Sequence, residues 1–397
     1  MQSQASTMHL ENQHRAPAWG AVFALSFGAF ALVASEFLPV SLLTPIARDL
    51  HITEGQAGQG ISVAGAFALV TSLFITAIAG RIDRKTILLT FTGIMIASGT
   101  LVALSPNYTT FMVARALVGI AIGGFWSMSA ATAMRLVPLA NVPQALAIVN
   151  GGNALATVIA APLGSFLGSI IGWRGAFFFI VPVAALVFVW QAISLPPLKA
   201  VQRDEPGKVL TLLTRPVVAL GMAAVSLFFM GQFSLFTYLR PFLETITRVD
   251  ASSLSLILLL IGLAGFLGTT LIGKLIKKSV YKALVVSPFI MAAIALLLVS
   301  FGGGKATATV LLGFWGLIGT SAPVAWWTWL SRTLPNDVEG GGGLMVAVVQ
   351  LAVTSGAITG GLLYDHVGYQ ATFGASAVML VASCVLAVLT SRASSRE

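Results

Sequence analysis

Apolar residues in this chain gather into long runs with no break for a polar face, and Gly, Pro and charged residues punctuate them. The runs fall near 19–45, 57–80, 86–105, 109–134, 144–170, 175–195, 216–238, 252–273, 281–301, 306–331, 342–363 and 370–391. Each approaches the roughly 20 residues that carry a helix across a hydrocarbon core about 30 Å thick. The pattern predicts an all-α integral membrane protein with twelve transmembrane helices. The longest polar interruption, LPPLKAVQRDEPGKVLTLLTRP (195–216), divides it into two six-helix bundles, 19–195 and 216–391. Residues 196–215 form the linker, with tails at 1–18 and 392–397.

Composition removes the soluble alternatives. The 397 residues are 57% hydrophobic and 9% charged, with mean hydropathy +0.93. Soluble domains carry about 25% charged residues. The first apolar run is far longer than a signal-peptide core, so it reads as a retained span. A net charge of +9 would suit nucleic acid, but its distribution argues otherwise. With the N-terminus inside, 16 of the 22 lysines and arginines fall on the cytoplasmic side and five outside. That bias is a topology signal and places both termini in the cytoplasm. Cys384 stands alone, so no intrachain disulfide is available.

Two internal echoes support duplication. GRIDRK (80–85) follows span two and GKLIKK (273–278) follows span eight. Gly164, Gly172, Trp173 and Phe177 match Gly360, Gly368, Tyr369 and Phe373 at a constant offset of 196. Two related halves around a midplane cavity suit alternating access by rocking.

Two charges interrupt the spans. Glu36, in VASEFLPVSLL (33–43), is the acid placed well inside a span. Intramembrane carboxylates mark pathways or proton relays, because insertion of the charge costs about 2.5–3.5 kcal/mol. A carboxylate that alternates between dry and wet surroundings can load and release a proton; a permanently protonated structural donor is the other use. Arg115 is the basic residue inside a span, about 9 Å along span four at 1.5 Å per residue. It can answer Glu36 or snorkel to the headgroups. Proton coupling is assigned to this pair.

Uncharged polar and aromatic residues deep in spans are the substrate candidates. The amides of Asn150, Asn153, Gln232 and Gln350 both donate and accept, matching the edges of a base or a sugar. Trp126 and Tyr238 can stack on a planar ring; packing is the competing use of each. Gly119, Gly123 and Gly124 read as close-packing devices. Gly152, Pro162 and Gly164 on span five read as a bending seam between the halves. No metal-ligand cluster or Ser/His/Asp arrangement suggests an enzyme, and no cofactor is expected beyond the proton gradient.

R-A-L-V-G-I-A-I-G-G (115–124), G-x8-A-P-L-G (152–164) and GRIDRKTIL (80–88) together resemble the major facilitator superfamily, in its drug:proton antiporter branch. In that resemblance Arg115 is the coupling arginine of span four, and Pro162 takes the proline position of the antiporter motif. Gly80, Asp83, Arg84 and Lys85 stand in the cytoplasmic loop motif. SEFLPVSLLTPIARDL (35–50), GGFWSMSAATAMRLVP (123–138) and GQFSLFTYLRP (231–241) look especially like purine ribonucleoside efflux pumps. The resemblance implies a monomeric antiporter of a bacterial inner membrane, exchanging protons for purine ribonucleosides such as inosine or guanosine. Sugars or drug-like compounds are the alternative cargo. Proton-linked uptake is the alternative coupling, and a non-transporting receptor or scaffold the alternative class.

Overall fold

The computed structural model describes residues 17–78, 82–138, 141–198, 211–334 and 338–394, and the described residues are almost entirely helical. In chain order the helices are α1 (Trp19–Leu50), α2 (Glu54–Ile78), α3 (Arg84–Ala103), α4 (Tyr108–Arg135), α5 (Val142–Phe178), α6 (Ile180–Ser194), α7 (Pro216–Phe236), α8 (Leu239–Thr245), α9 (Ala251–Lys278), α10 (Val280–Phe301), α11 (Lys305–Gly319), α12 (Ala322–Thr333), α13 (Val338–His366) and α14 (Tyr369–Ser394). Gly80, most of the linker, residues 1–16 and residues 395–397 lie outside the described residues.

Among the described residues, eleven helical stretches are long and apolar enough to span a membrane. One of them, Gln144–Ser194, has 51 residues and crosses twice. Its helix breaks at Gly172, where φ is 73° and ψ 167°, a conformation that only glycine adopts without strain. Next to the break, Arg174 pairs with Asp49 at the end of α1 and donates to the Ser105 carbonyl at 2.8 Å. Twenty residues on, Ser194 lies against Gly20 at the start of α1. The chain has therefore returned to the face where it began, and twelve crossings result. We call that the terminus face and its opposite the far face.

Several sequence boundaries shift. Span seven does not stop near residue 238, because α8 continues it to Thr245 and takes Arg240 with it. Arg240, which lies beyond the residue-238 boundary, is inside the protein at 9% exposure. Span ten is split at Thr320–Ser321 into α11 and α12, with Pro323 in the first turn of α12.

Small residues let the helices meet. A Cβ on Gly119 or Gly123 would come within 2.2 or 2.1 Å of the Ala64 or Ala68 carbonyl oxygen on α2. Span five meets span one in the same way: Gly152 lies on the Ser26 backbone, Gly164 on Ser41 and Leu38, and Gly168 on Leu42. The glycine face of span five is thus packed inside its own half, while another face of the same helix lies on the other half. Contact with the other half comes from Val158, which meets Gly262 of α9. Hydroxyl groups add ties: Ser98 donates to Ala114, Ser376 to Gly231 and Ser383 to Ala224, at 2.6–2.7 Å. Each satisfies the hydroxyl where lipid cannot.

The halves repeat at residue level. Among the described residues, Gly172 and Gly368 are the glycines with positive φ, at 73° and 102°. Each is followed by an edge-to-face aromatic pair, Trp173 with Phe177 at 6.3 Å and Tyr369 with Phe373 at 5.9 Å.

Candidate functional site

Span one builds the site. Its prolines, Pro39 and Pro45, have no N–H to donate four residues back, so the carbonyls of Ser35 and Ser41 lose their helical partners. Buried carbonyls need replacements. Arg115, fully buried, supplies the first. One terminal nitrogen donates to the Ser35 carbonyl at 2.9 Å, the other to the Glu36 carbonyl at 3.3 Å, and Nε to the Gly60 carbonyl of α2 at 3.1 Å. Gly60 leaves room for the arginine stem; a Cβ there would meet Arg115 Cγ at 3.3 Å. The planar fork suits this triple contact, and charge-assisted bonds are the stronger kind.

Glu36 lies fourteen residues from the far end of α1, about 21 Å at 1.5 Å per residue, close to the middle of the span. Its carboxylate has the Arg115 guanidinium and the Gln350 amide of α13 as its electrostatic neighbours. Among the described residues the two charged side chains form no ion pair. The arginine is engaged by backbone, so it holds span one in place and acts on the carboxylate through its field. Gln350 belongs to the other half. Glu36, Arg115 and Gln350, named separately from the sequence, are brought together across the boundary between halves. Beside them Phe37 stacks on Phe233 of α7, centroids 6.0 Å apart and planes at 25°, again across that boundary.

Beyond this point, toward the far face, the halves are sealed. Thr354 donates to the Ser62 carbonyl at 3.3 Å. Val40, Ile61, Phe233, Val353 and Ala357 form an apolar plug. At the rim Asp365 accepts from the Gly55 N–H at 2.9 Å and the Thr53 hydroxyl at 2.6 Å, capping α2 from the other half. Glu36 is half-buried at the inner edge of this seal.

The remaining candidates divide. Tyr238 is fully buried in the seal, its hydroxyl donating to Ala357 at 2.8 Å and its ring stacked on Tyr364. It therefore lines no substrate space in this conformation, which corrects its assignment as a ligand contact. Gln232 turns into its own half: its amide nitrogen reaches the Gly319 carbonyl at 3.4 Å, beside the break in span ten, and its buried oxygen has no partner. Asn150 is exposed and spends its amide on the Leu146 carbonyl of its own helix at 2.9 Å. Asn153 and Trp126 are half-buried, and Trp126 packs edge-on against Phe125. Pro162 is buried. In the loop motif Asp83 caps α3, accepting from the Lys85 N–H at 2.8 Å, and the Arg84 N–H donates to Leu198 at 3.0 Å.

Twelve spans in two repeated halves, with a charge pair at the midplane, match one family model: the Major Facilitator Superfamily, over residues 25–343. The chain belongs to that superfamily. Membership makes it a multi-pass membrane protein of a superfamily of transporters, and not an enzyme. Curated superfamily relatives include a protein of Pseudomonas aeruginosa named transcription regulatory protein OpdE, 60% identical over 386 residues, 96% of each chain. The purine ribonucleoside efflux pump NepI of Salmonella paratyphi B is 43% identical over 372 residues, 94% of each chain. Solved structures share the superfamily fold. A point mutant of the nucleoside transporter NupG matches with TM-score 0.75 at 14% identity, covering 94% of this chain and 98% of that one. A bacterial homolog of the human lysosomal transporter Spinster, inward-facing and occupied, matches with TM-score 0.73 at 14% identity, covering 94% and 96%.

The residues that sequence reading missed are Phe37, Phe233, Arg240 and Asp365. For Arg240 a signal existed. Two prolines inside one span announce two free carbonyls, and each needs a donor from elsewhere in the chain.

Proposed function

We propose that this chain exports purine ribonucleosides in exchange for protons across a bacterial inner membrane, with both termini cytoplasmic. One observation carries the reading: a midplane carboxylate, Glu36, stands at the junction of the halves between a cation of its own half and an amide of the other. Ionised, Glu36 attracts Arg115 within its own half and the Gln350 amide across the boundary. Protonation removes that attraction and changes the relative stability of the two access states. A membrane potential adds about 2.3 kcal/mol per charge moved per 100 mV, enough to bias such a switch.

The half-buried side chains suit that cargo: Gln350 and Asn153 offer amide edges, and Phe37 offers a ring face on which a purine can stack. The relative named as a purine ribonucleoside efflux pump, at 43% identity over nearly the whole chain, supports purine nucleosides over sugars or drug-like compounds. A second reading, a membrane-bound regulator that transports nothing, draws on the name of the 60% identical relative.

Liposomes containing the protein, a pH gradient and radiolabelled inosine separate the readings. Inosine moving against the proton flow, and lost in Glu36→Gln, is the expected result. Gradient-driven flux that survives in Glu36→Gln would remove the carboxylate from coupling. Absence of flux for inosine, sugars and drugs alike would favour the regulator.

A further inference from the structure

The two prolines of span one are answered by two arginines, but from different places. Arg115 takes the Ser35 carbonyl from within the same half. Arg240, on α8 of the other half, donates to the Ser41 carbonyl that Pro45 leaves open. Rocking of one half on the other preserves the first contact and must break the second.

We propose that Arg240 is the positioning residue that holds the far face shut, and that its release from the Ser41 carbonyl is required for that face to open. The inference needs the transport reading only in that it supposes two access states. Its geometry is specific. Arg240 is 9% exposed, and Glu244, one turn on, fixes its Nε at 2.8 Å, which aims the terminal nitrogens toward span one. Ser41 is buried, so its carbonyl meets little water while the face is closed. Once the face opens, water reaches both groups and replaces the bond that is lost. The latch is therefore strong when dry and costs little to release when wet, as a reversible gate requires. Pro45 is part of the device. A residue with an N–H there would engage the Ser41 carbonyl within the helix and weaken its hold on the guanidinium.

The segment between the two capped carbonyls also carries Glu36. Residues 35–41 are anchored at one end beside the carboxylate and at the other by the opposite half. A displacement of the helix at Glu36 is thus passed along less than two turns to the gate.

The test uses labelling and needs no substrate. Cys384, the sole cysteine, is replaced by Ser, and a reporter cysteine is placed at Ala357, which is fully buried in the plug of the seal, its carbonyl accepting from Tyr238. In nanodiscs, a membrane-impermeant maleimide should modify Ala357→Cys slowly. Arg240→Ala should raise the rate at least fivefold. Pro45→Ala, which leaves every charge in place, should raise it in the same direction. The double variant should react no faster than the faster single, since both remove one contact. Arg174→Ala, which breaks a far-face pair within one half, should leave the rate unchanged. Unchanged labelling in Arg240→Ala and Pro45→Ala, or rates that multiply in the double variant, would overturn the proposal. If Arg240→Ala fails to fold because Glu244 is left unpaired, Pro45→Ala decides alone. A wrong cargo would leave all these rates as predicted, so this inference and the transport reading fail separately.

Discussion

At Arg115 a full charge is buried among carbonyls, and its cost is offset by three hydrogen bonds and by the field of Glu36. Lysine keeps the charge but not the planar fork. Arg115→Lys should therefore leave at least one carbonyl of span one unpaired, a loss of about 1–3 kcal/mol. A lower unfolding midpoint in detergent, together with slowed flux, would register it; an unchanged midpoint would show that water can serve in its place. Glu36→Gln keeps the shape beside Gln350 while removing ionisation. Gradient-driven flux should fall more than tenfold in it while purine nucleoside binding, followed by calorimetry, persists. Loss of binding instead would make Glu36 a substrate ligand and not a proton carrier.

Individual elements are governed by glycine and proline at particular positions. Gly172 holds φ at 73° and ψ at 167°, and nothing lies within 4 Å of a Cβ built there. Its replacement meets backbone strain alone, worth about 1–3 kcal/mol. Gly374 also has open space around its Cβ but sits inside α14. Gly172→Ala should thus destabilise while Gly374→Ala stabilises by a few tenths to about 1 kcal/mol; equal effects would mean that the turn between spans five and six relaxes elsewhere. Gly123→Val belongs to another class. Its side chain would meet the Ala68 carbonyl oxygen on α2, backbone that cannot rotate away. Folded yield by size-exclusion chromatography should drop sharply, while Gly151→Ala, with open space around it, should express normally.

Over the whole molecule, the seal joins different parts of the two halves: α2 to α13, α1 to α8, and α5 to α9. Asp365 caps the N-terminus of α2 from across this boundary, where helix N–H groups lack helical partners. Asp365→Ala should loosen the rim more than Asp49→Ala, whose pair lies within one half. Labelling at Ala357→Cys would rank the two, and the reverse order would place the seal deeper than the rim.

Much of this was legible in the sequence because lipid imposes one-dimensional rules. A span must be long and apolar, an internal charge must be accounted for, and a duplicated half repeats its turn residues. Twelve crossings, the offset of 196 and the two intramembrane charges, Glu36 and Arg115, follow from those rules alone. Tertiary structure decided which groups meet. That Arg115 binds backbone more than carboxylate, that Gln350 reaches Glu36 while Gln232 turns into its own half, and that Tyr238 serves the seal all depend on helix rotation. So does the fate of the two carbonyls that Pro39 and Pro45 set free: the sequence announces them, but only packing chooses the arginine that answers each. Rotation is set by small-residue contacts between helices distant in the chain, and an apolar run hydrophobic on all sides carries no mark of which face will turn inward.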